Sequence, residues 1–151
     1  MRAAFGLCIR RGECMTLQEW IEKYNKKAPE PFKRNERFDL FFLPDKGFCE
    51  VGMTDDMVII YQLCGDARFW RDKVSDMARK IGAKMCGTWC VRKGILAYIR
   101  LFGYKITHTE DLPDGLKRYH AIHKDTGKEG LVSPAFRFEG GEQAYFITWQ
   151  P

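Results

Sequence analysis

No stretch of this 151-residue chain approaches the roughly 20 consecutive apolar residues that a membrane-spanning helix requires. A protein that works from within a bilayer through helices is therefore not expected. Nor does the chain hold a run of five or six like charges, an internal repeat or a low-complexity tract, which argues against a polyionic tail and against a solenoid. The apolar run AAFGLCI near the start is short, ends in Arg10-Arg11 and lacks a small-x-small cleavage motif, so a secretory leader is not expected either. Metal-type spacing is also missing. Cys86-x3-Cys90 and His120-x2-His123 both depart from the usual zinc ligand spacings.

What is present points to one globular domain. With 45% hydrophobic and 30% charged residues the chain can build a real core but not two comfortable ones. Its six cysteines (Cys8, Cys14, Cys49, Cys64, Cys86 and Cys90) include several inside apolar runs, where the residue behaves as a small hydrophobe. The expectation is thiols in a reducing, cytoplasmic compartment rather than a disulfide framework. A net charge of +5, from 25 Lys and Arg against 20 Asp and Glu, mildly favours anionic ligands, although a basic soluble surface is the better explanation.

Residues 1–14 fit poorly with the rest of the chain and are expected to be a loose extension to a single domain over 15–151. Thr16 can cap a helix, Glu19 can complete a capping box, and Leu17, Trp20, Ile21 and Tyr24 share one face. The segment 25–37, with two prolines and many charges, reads as a surface connection. Strands are expected at Phe38–Leu43, Phe48–Met53 and Met57–Leu63, the last apolar on both faces as in a buried strand. At Gly65 the period changes from two to 3.6. Asp66 can cap a helix whose buried face is Trp70, Val74, Met77, Ala78 and Ile81, ending at Gly82, with Arg68, Arg71 and the other charges in water. Ala83–Trp89 then reads as a strand parallel to the previous one. Ile95, Leu96, Ile99 and Phe102 mark a second helix, and strands at Tyr104–Thr109, Arg118–His123, Leu131–Phe138 and Gln143–Trp149 complete the chain.

The stretch from Met57 to Tyr104 carries the chemistry. Gln62-Leu63-Cys64-Gly65-Asp66-Ala67, between a buried strand and an amphipathic helix, is similar to the Q/R-x-x-G-x-G/A signature of the GCN5-related N-acetyltransferases (GNAT). Leu101-Phe102-Gly103-Tyr104 resembles the helix ending of the same family. Backbone amides and the positive end of a helix dipole favour an anion at such a junction. The resemblance implies an α+β fold with a mixed, mostly antiparallel sheet. It also implies coenzyme A phosphates held by Gln62, Leu63, Cys64, Gly65, Asp66, Ala67 and Arg68, and direct acyl transfer from acetyl-CoA to a primary amine of a small molecule or protein. Such transfer needs a base and an acid. Glu50 is the candidate base and Tyr98 the candidate acid, since Ile99 stands where the family's tyrosine usually lies. Asp66 places a carboxylate beside the implied pyrophosphate, where like charge repels.

Other constellations compete. Cys64 before a helix N-terminus, with His108, His120 and His123 downstream, could be drawn as a Cys-His hydrolase. Arg68-Phe69-Trp70-Arg71 and Arg118-Tyr119-His120 could stack on nucleic-acid bases, although snorkelling side chains are the better reading. The alternative to an enzyme is a non-catalytic GNAT-like binding or assembly protein, for example of a bacteriophage. The oligomeric state is not encoded in these patterns.

Overall fold

The computed structural model describes residues 14–151. Apart from Cys14, the expected loose extension lies outside the described residues. Cys14 is disulfide-bonded, while Cys49, Cys64, Cys86 and Cys90 carry thiols, so the expectation of thiols throughout fails at Cys14. No described helix is long and apolar enough to cross a membrane.

Helix α1 (Leu17–Lys27) starts where its capping box places it, with Thr16 accepting from the Glu19 amide and Glu19 accepting from the Thr16 amide. Three antiparallel strands come next: β1 (Asp39–Leu43), β2 (Gly47–Thr54) and β3 (Met57–Gly65). Helix α2 (Ala67–Ile81) runs from Asp66 to Gly82, which closes it in the left-handed conformation that glycine adopts at least cost. Then come β4 (Met85–Cys90), α3 (Ile95–Leu101) and the meander β5 (Tyr104–Asp111), β6 (Lys117–His123), β7 (Glu129–Arg137) and β8 (Gln143–Trp149).

The eight strands of the described residues form one sheet in the order β1-β2-β3-β4-β8-β7-β6-β5. Among them only β3 and β4 pair in parallel, through four residue pairs from Met57/Met85 to Ile60/Thr88. The crossover between them is α2, as expected of parallel neighbours. Strand β8 lies between β4 and β7, so the last strand fills the middle of the sheet while β5 forms its rim. The core gathers Cys49, Val51, Val58 and Ile60 with Trp70, Val74 and Ala78 of α2 and Ile95 and Ile99 of α3. Helices α2 and α3 thus share one face. Alternation along β2 turns Phe48 to the other face, where Tyr24 of α1 and Phe32 pack on it.

The turn between β1 and β2 ties the helices to the sheet. The Pro44 carbonyl accepts from the Trp20 indole, and the Lys46 carbonyl accepts from both the Trp70 indole and the Asp66 amide. Gly47 and Gly65 face each other across β2 and β3 with φ of +91° and +116°. A Cβ on Gly47 would lie 1.8 Å from the Cys64 carbonyl oxygen, and one on Gly65 would lie 2.1 Å from that of Lys46. The glycine that ends β3 is therefore required by its neighbouring strand, before any ligand is considered.

Candidate functional site

Beyond Ile60/Thr88 the two parallel strands part. Up to that point they are paired, with the Thr88 hydroxyl donating to the Ile60 carbonyl at 3.1 Å, and beyond it only the Tyr61 and Trp89 rings meet, at 5.6 Å. Past it β4 continues along β8, while β3 stays with β2 and shifts register by one residue between Glu50/Gln62 and Val51/Ile60. Tyr61 is the extra residue of this bulge. A bulge bends its strand and re-aims the side chains beyond it, which is why bulges gather at functional sites. Here it turns the last residues of β3 away from β4.

The gap opens into a cleft of about 410 Å³ that passes through the sheet. On one side it is bordered by Lys23, Tyr24 and Lys27 of α1, and on the other by Arg71, Tyr98 and Phe102. Of the residues that sequence assigns to a cofactor, Gln62, Leu63, Cys64, Gly65 and Ala67 line it, whereas Asp66 and Arg68 do not. Its described lining holds four cations, Lys23, Lys27, Arg71 and Arg92, and no carboxylate.

Several of these residues are already engaged. The Asp66 carboxylate caps α2 by accepting from the Phe69 amide at 3.0 Å, and Lys46 Nζ stands 3.3 Å away. That backbone bond, with help from Lys46, holds Asp66 below the usual carboxylate range. An internal anion thus occupies part of the helix terminus that sequence offers to a pyrophosphate. Arg68 donates to the Leu101 carbonyl and lies over the Phe102 ring, which joins the start of α2 to the end of α3.

Arg71 does not face water as its helical position suggests. Its guanidinium sits 4.6 Å from the Phe102 ring, 4.8 Å from Tyr104 and 4.7 Å from Trp149. Burial lowers its pKa, and contact with Tyr104 partly restores it. Cation–π contacts are the means by which a half-buried guanidinium can be held without a carboxylate. It separates the cleft from a second hollow of about 670 Å³ bordered by Arg68, Arg79, Arg100 and Lys124 among others.

Tyr98 borders the cleft under the Arg92 guanidinium, 4.3 Å from its ring, with Phe102 edge-on at 5.0 Å. Burial, and secondarily Cys90, raise the pKa of its hydroxyl. Ile99 packs in the core.

Glu50 is neither solvent-facing nor on the cleft wall. It is 1% exposed, and both oxygens are taken. Gln62 Nε2 donates to Oε1 at 2.8 Å; Arg34 and the Asn35 amide donate to Oε2 at 3.1 and 3.2 Å. Gln62 also bonds the backbone of Lys33 in both directions, accepting from its amide at 3.1 Å and donating to its carbonyl at 2.8 Å. The connection after α1 is therefore a strap pinned to β2 and β3, with Phe32 packed under it. Sequence alone reads these residues as surface loop. The one signal available is a lone glutamate in a strand, opposite a glutamine.

The histidines lie elsewhere. His108 and His120 pair across β5 and β6, where His120 and Arg118 meet Glu110, and His123 borders the second hollow; none lines the cleft with Cys64. Among the described residues no group of three or more His, Cys, Asp or Glu is arranged to hold a metal ion.

No family profile matches the chain, and no curated protein matches it by sequence. Its fold, by contrast, is the acyl-CoA N-acyltransferase fold of the GNAT proteins, as the order of elements leads one to expect. Ribosomal-protein-S18-alanine N-acetyltransferase from Escherichia coli superposes with a TM-score of 0.50 at 12% identity, covering 89% of this chain and 86% of that one. Nourseothricin acetyltransferase aligns at TM-score 0.38 and 15% identity over 69% of this chain and 57% of its own.

Proposed function

We propose that the chain transfers an acetyl group from acetyl-CoA to a primary amine. The observation that carries this reading is the gap between β3 and β4, a through-sheet cleft with cations and no carboxylate along its described lining. Past Ile60 the outer edge of β3 has no strand partner, so its amides and carbonyls are offered to an extended arm that itself contains amides. Acetyl-CoA would supply the activated acyl group: the amine nitrogen bonds to the thioester carbon, the carbon–sulfur bond breaks, and one proton must move from nitrogen to the departing sulfur. Tyr98 fits the donor's part, because burial keeps its hydroxyl protonated well past neutral pH.

Glu50 is the base suggested by sequence. It is buried, off the cleft wall, and binds three donors of β3 and the strap, so its contacts favour a positioning role for the strap. Glu50→Gln distinguishes the two. Loss of kcat with an unchanged KM for the acceptor marks a base; a raised acceptor KM with kcat retained marks positioning.

Calorimetry with coenzyme A and acetyl-CoA tests the whole reading, and no detectable binding to the folded chain would sink it. Asp66→Asn keeps a capping side chain and removes its charge. If the diphosphate lies at the start of α2, affinity should rise roughly three- to tenfold, as expected for removing one partly screened like charge. Gly65 is a poor site for such a test, since any side chain there meets the Lys46 carbonyl. Tyr98→Phe should lower kcat by roughly a hundredfold and leave coenzyme A affinity unchanged. The second reading, a binding module of this fold without catalysis, draws on one observation: Asp66 already fills part of the anion site.

A further inference from the structure

One cluster of positive charge stands at the mouth of the cleft. Residues 23–37 hold six Lys and Arg against two Glu, a net +4, where the whole chain carries +5. These residues are the last turns of α1 and the strap, and through Lys23, Lys27, Ala28 and Pro29 they form one mouth of the cleft. Arg34 is bound to Glu50 and Lys23 lies over the Trp20 ring. Lys26, Lys27, Lys33 and Arg37 form no ion pair with a described carboxylate. All four are exposed.

From this charge pattern, and resting on the transferase reading above, we infer that the acceptor amine is carried by an acidic peptide that lies along the strap. The cations are spread over a helix end and an extended segment, which suits a chain of carboxylates rather than a single small anion. The other extended polyanion is a nucleic acid, and the strap is poorly made for one. Its aromatic residue, Phe32, and the neighbouring Tyr24 are packed on each other and on Phe48, so neither ring is offered for base stacking. A rigid mounting adds to the effect. Because Gln62 holds the backbone of Lys33 and Glu50 holds that of Asn35, the strap backbone need not be ordered on binding, which lowers the cost of docking. Opposite charges also steer encounter, more so at low salt.

The experiment uses the full chain without cofactor and short peptides labelled at the C-terminus, each with a free amine followed by three Glu, three Gln or three Lys. Fluorescence anisotropy at low salt should rank them Glu, Gln, Lys, with the first bound roughly tenfold more tightly than the second and the difference shrinking as salt screens it. The double variant Lys27→Glu, Lys33→Glu, checked for folding by its thermal transition, should abolish or invert that order. Equal binding of the three peptides, or an order untouched by the charge reversal, overturns the inference. So does a single-stranded oligonucleotide of equal charge that binds as tightly as the Glu peptide. Coenzyme A calorimetry on the same sample separates the two claims. Cofactor binding without peptide discrimination removes the acceptor inference alone, whereas peptide discrimination without cofactor binding removes the transferase reading and leaves the docking strap standing.

Discussion

The two walls of the cleft are held by different means. The β4 wall is secured by a ladder: β4 pairs with β3 on one side and with β8 on the other, through five residue pairs from Cys86/Trp149 to Cys90/Tyr145. The β3 wall keeps its ladder with β2 but loses its parallel neighbour after Ile60, and on that side it is held by side chains and special backbone. Gln62 grips the strap, Glu50 gathers three donors beneath it, and the Gly47–Gly65 contact closes the end of the strand. A ladder spreads its stability over many repeated bonds, whereas a clamp concentrates it in a few atoms. The β3 wall should therefore be the more sensitive to single substitutions.

Gly47→Ala should break the β3 wall most severely. Its Cβ would stand 1.8 Å from the Cys64 carbonyl oxygen, a contact only backbone movement can relieve, and we expect a loss of about 4 kcal/mol or failure to fold in urea titration. Gly115→Ala, also at positive φ but with nothing within 4 Å, is the control and should cost about 1 kcal/mol. Glu50→Ala removes the acceptor for three donors and leaves Arg34 without its carboxylate, which should cost about 2–3 kcal/mol.

Alkaline pH probes both walls together. Burial pushes the Cys49 thiol of β2 up to about 12, and those of Cys86 and Cys90 on β4 up to about 11 each, from an ordinary 9.0. The unfolded chain releases these protons first. Stability is thus complete below pH 9 and falls as pH rises from there through the folded values, by about 2 kcal/mol or more at pH 11 in denaturant titration. Cys49→Ala should make the fall shallower. A pH-independent midpoint between 8 and 11 would refute the assignment. The smallest effect belongs to the ladder. Thr88→Val removes one hydroxyl bond to the Ile60 carbonyl, should cost about 1 kcal/mol, and should be read as faster amide exchange at the last β3–β4 rung.

The elements of this fold are legible in the sequence because their signals are local. The capping box at Thr16 and Glu19, the Asp66 and Gly82 limits of α2 and the alternation over Gln143–Trp149 each fall within one turn or one strand. So is the strand-to-helix junction that borders the candidate cleft, since the change of period at Gly65 marks it. The features that escape a sequence reading are all non-local. The Lys46 carbonyl that makes Gly65 obligatory is 19 residues upstream, the donors that bury Glu50 come in part from a segment whose prolines and charges read as loop, and the rings around Arg71 come from the end of α3, β5 and β8. Helical period alone places Arg71 in water, because period describes one helix and cannot count the aromatic residues that other elements bring to it.

The position of β8 has a consequence for how the molecule is made. This strand fills the slot between β4 and β7, yet it leaves the ribosome after both. Until it emerges, β1 to β4 and β5 to β7 are two ribbons with open edges and no strand between them. Closing the sheet brings Cys86 and Trp149, 63 positions apart, into register, a loop whose entropy is spent before the pairing is gained. Synthesis should thus deliver a pair of half-sheets that unite in one late step, with the exposed edges of β4 and β7 the places where a crowded or heated preparation begins to aggregate.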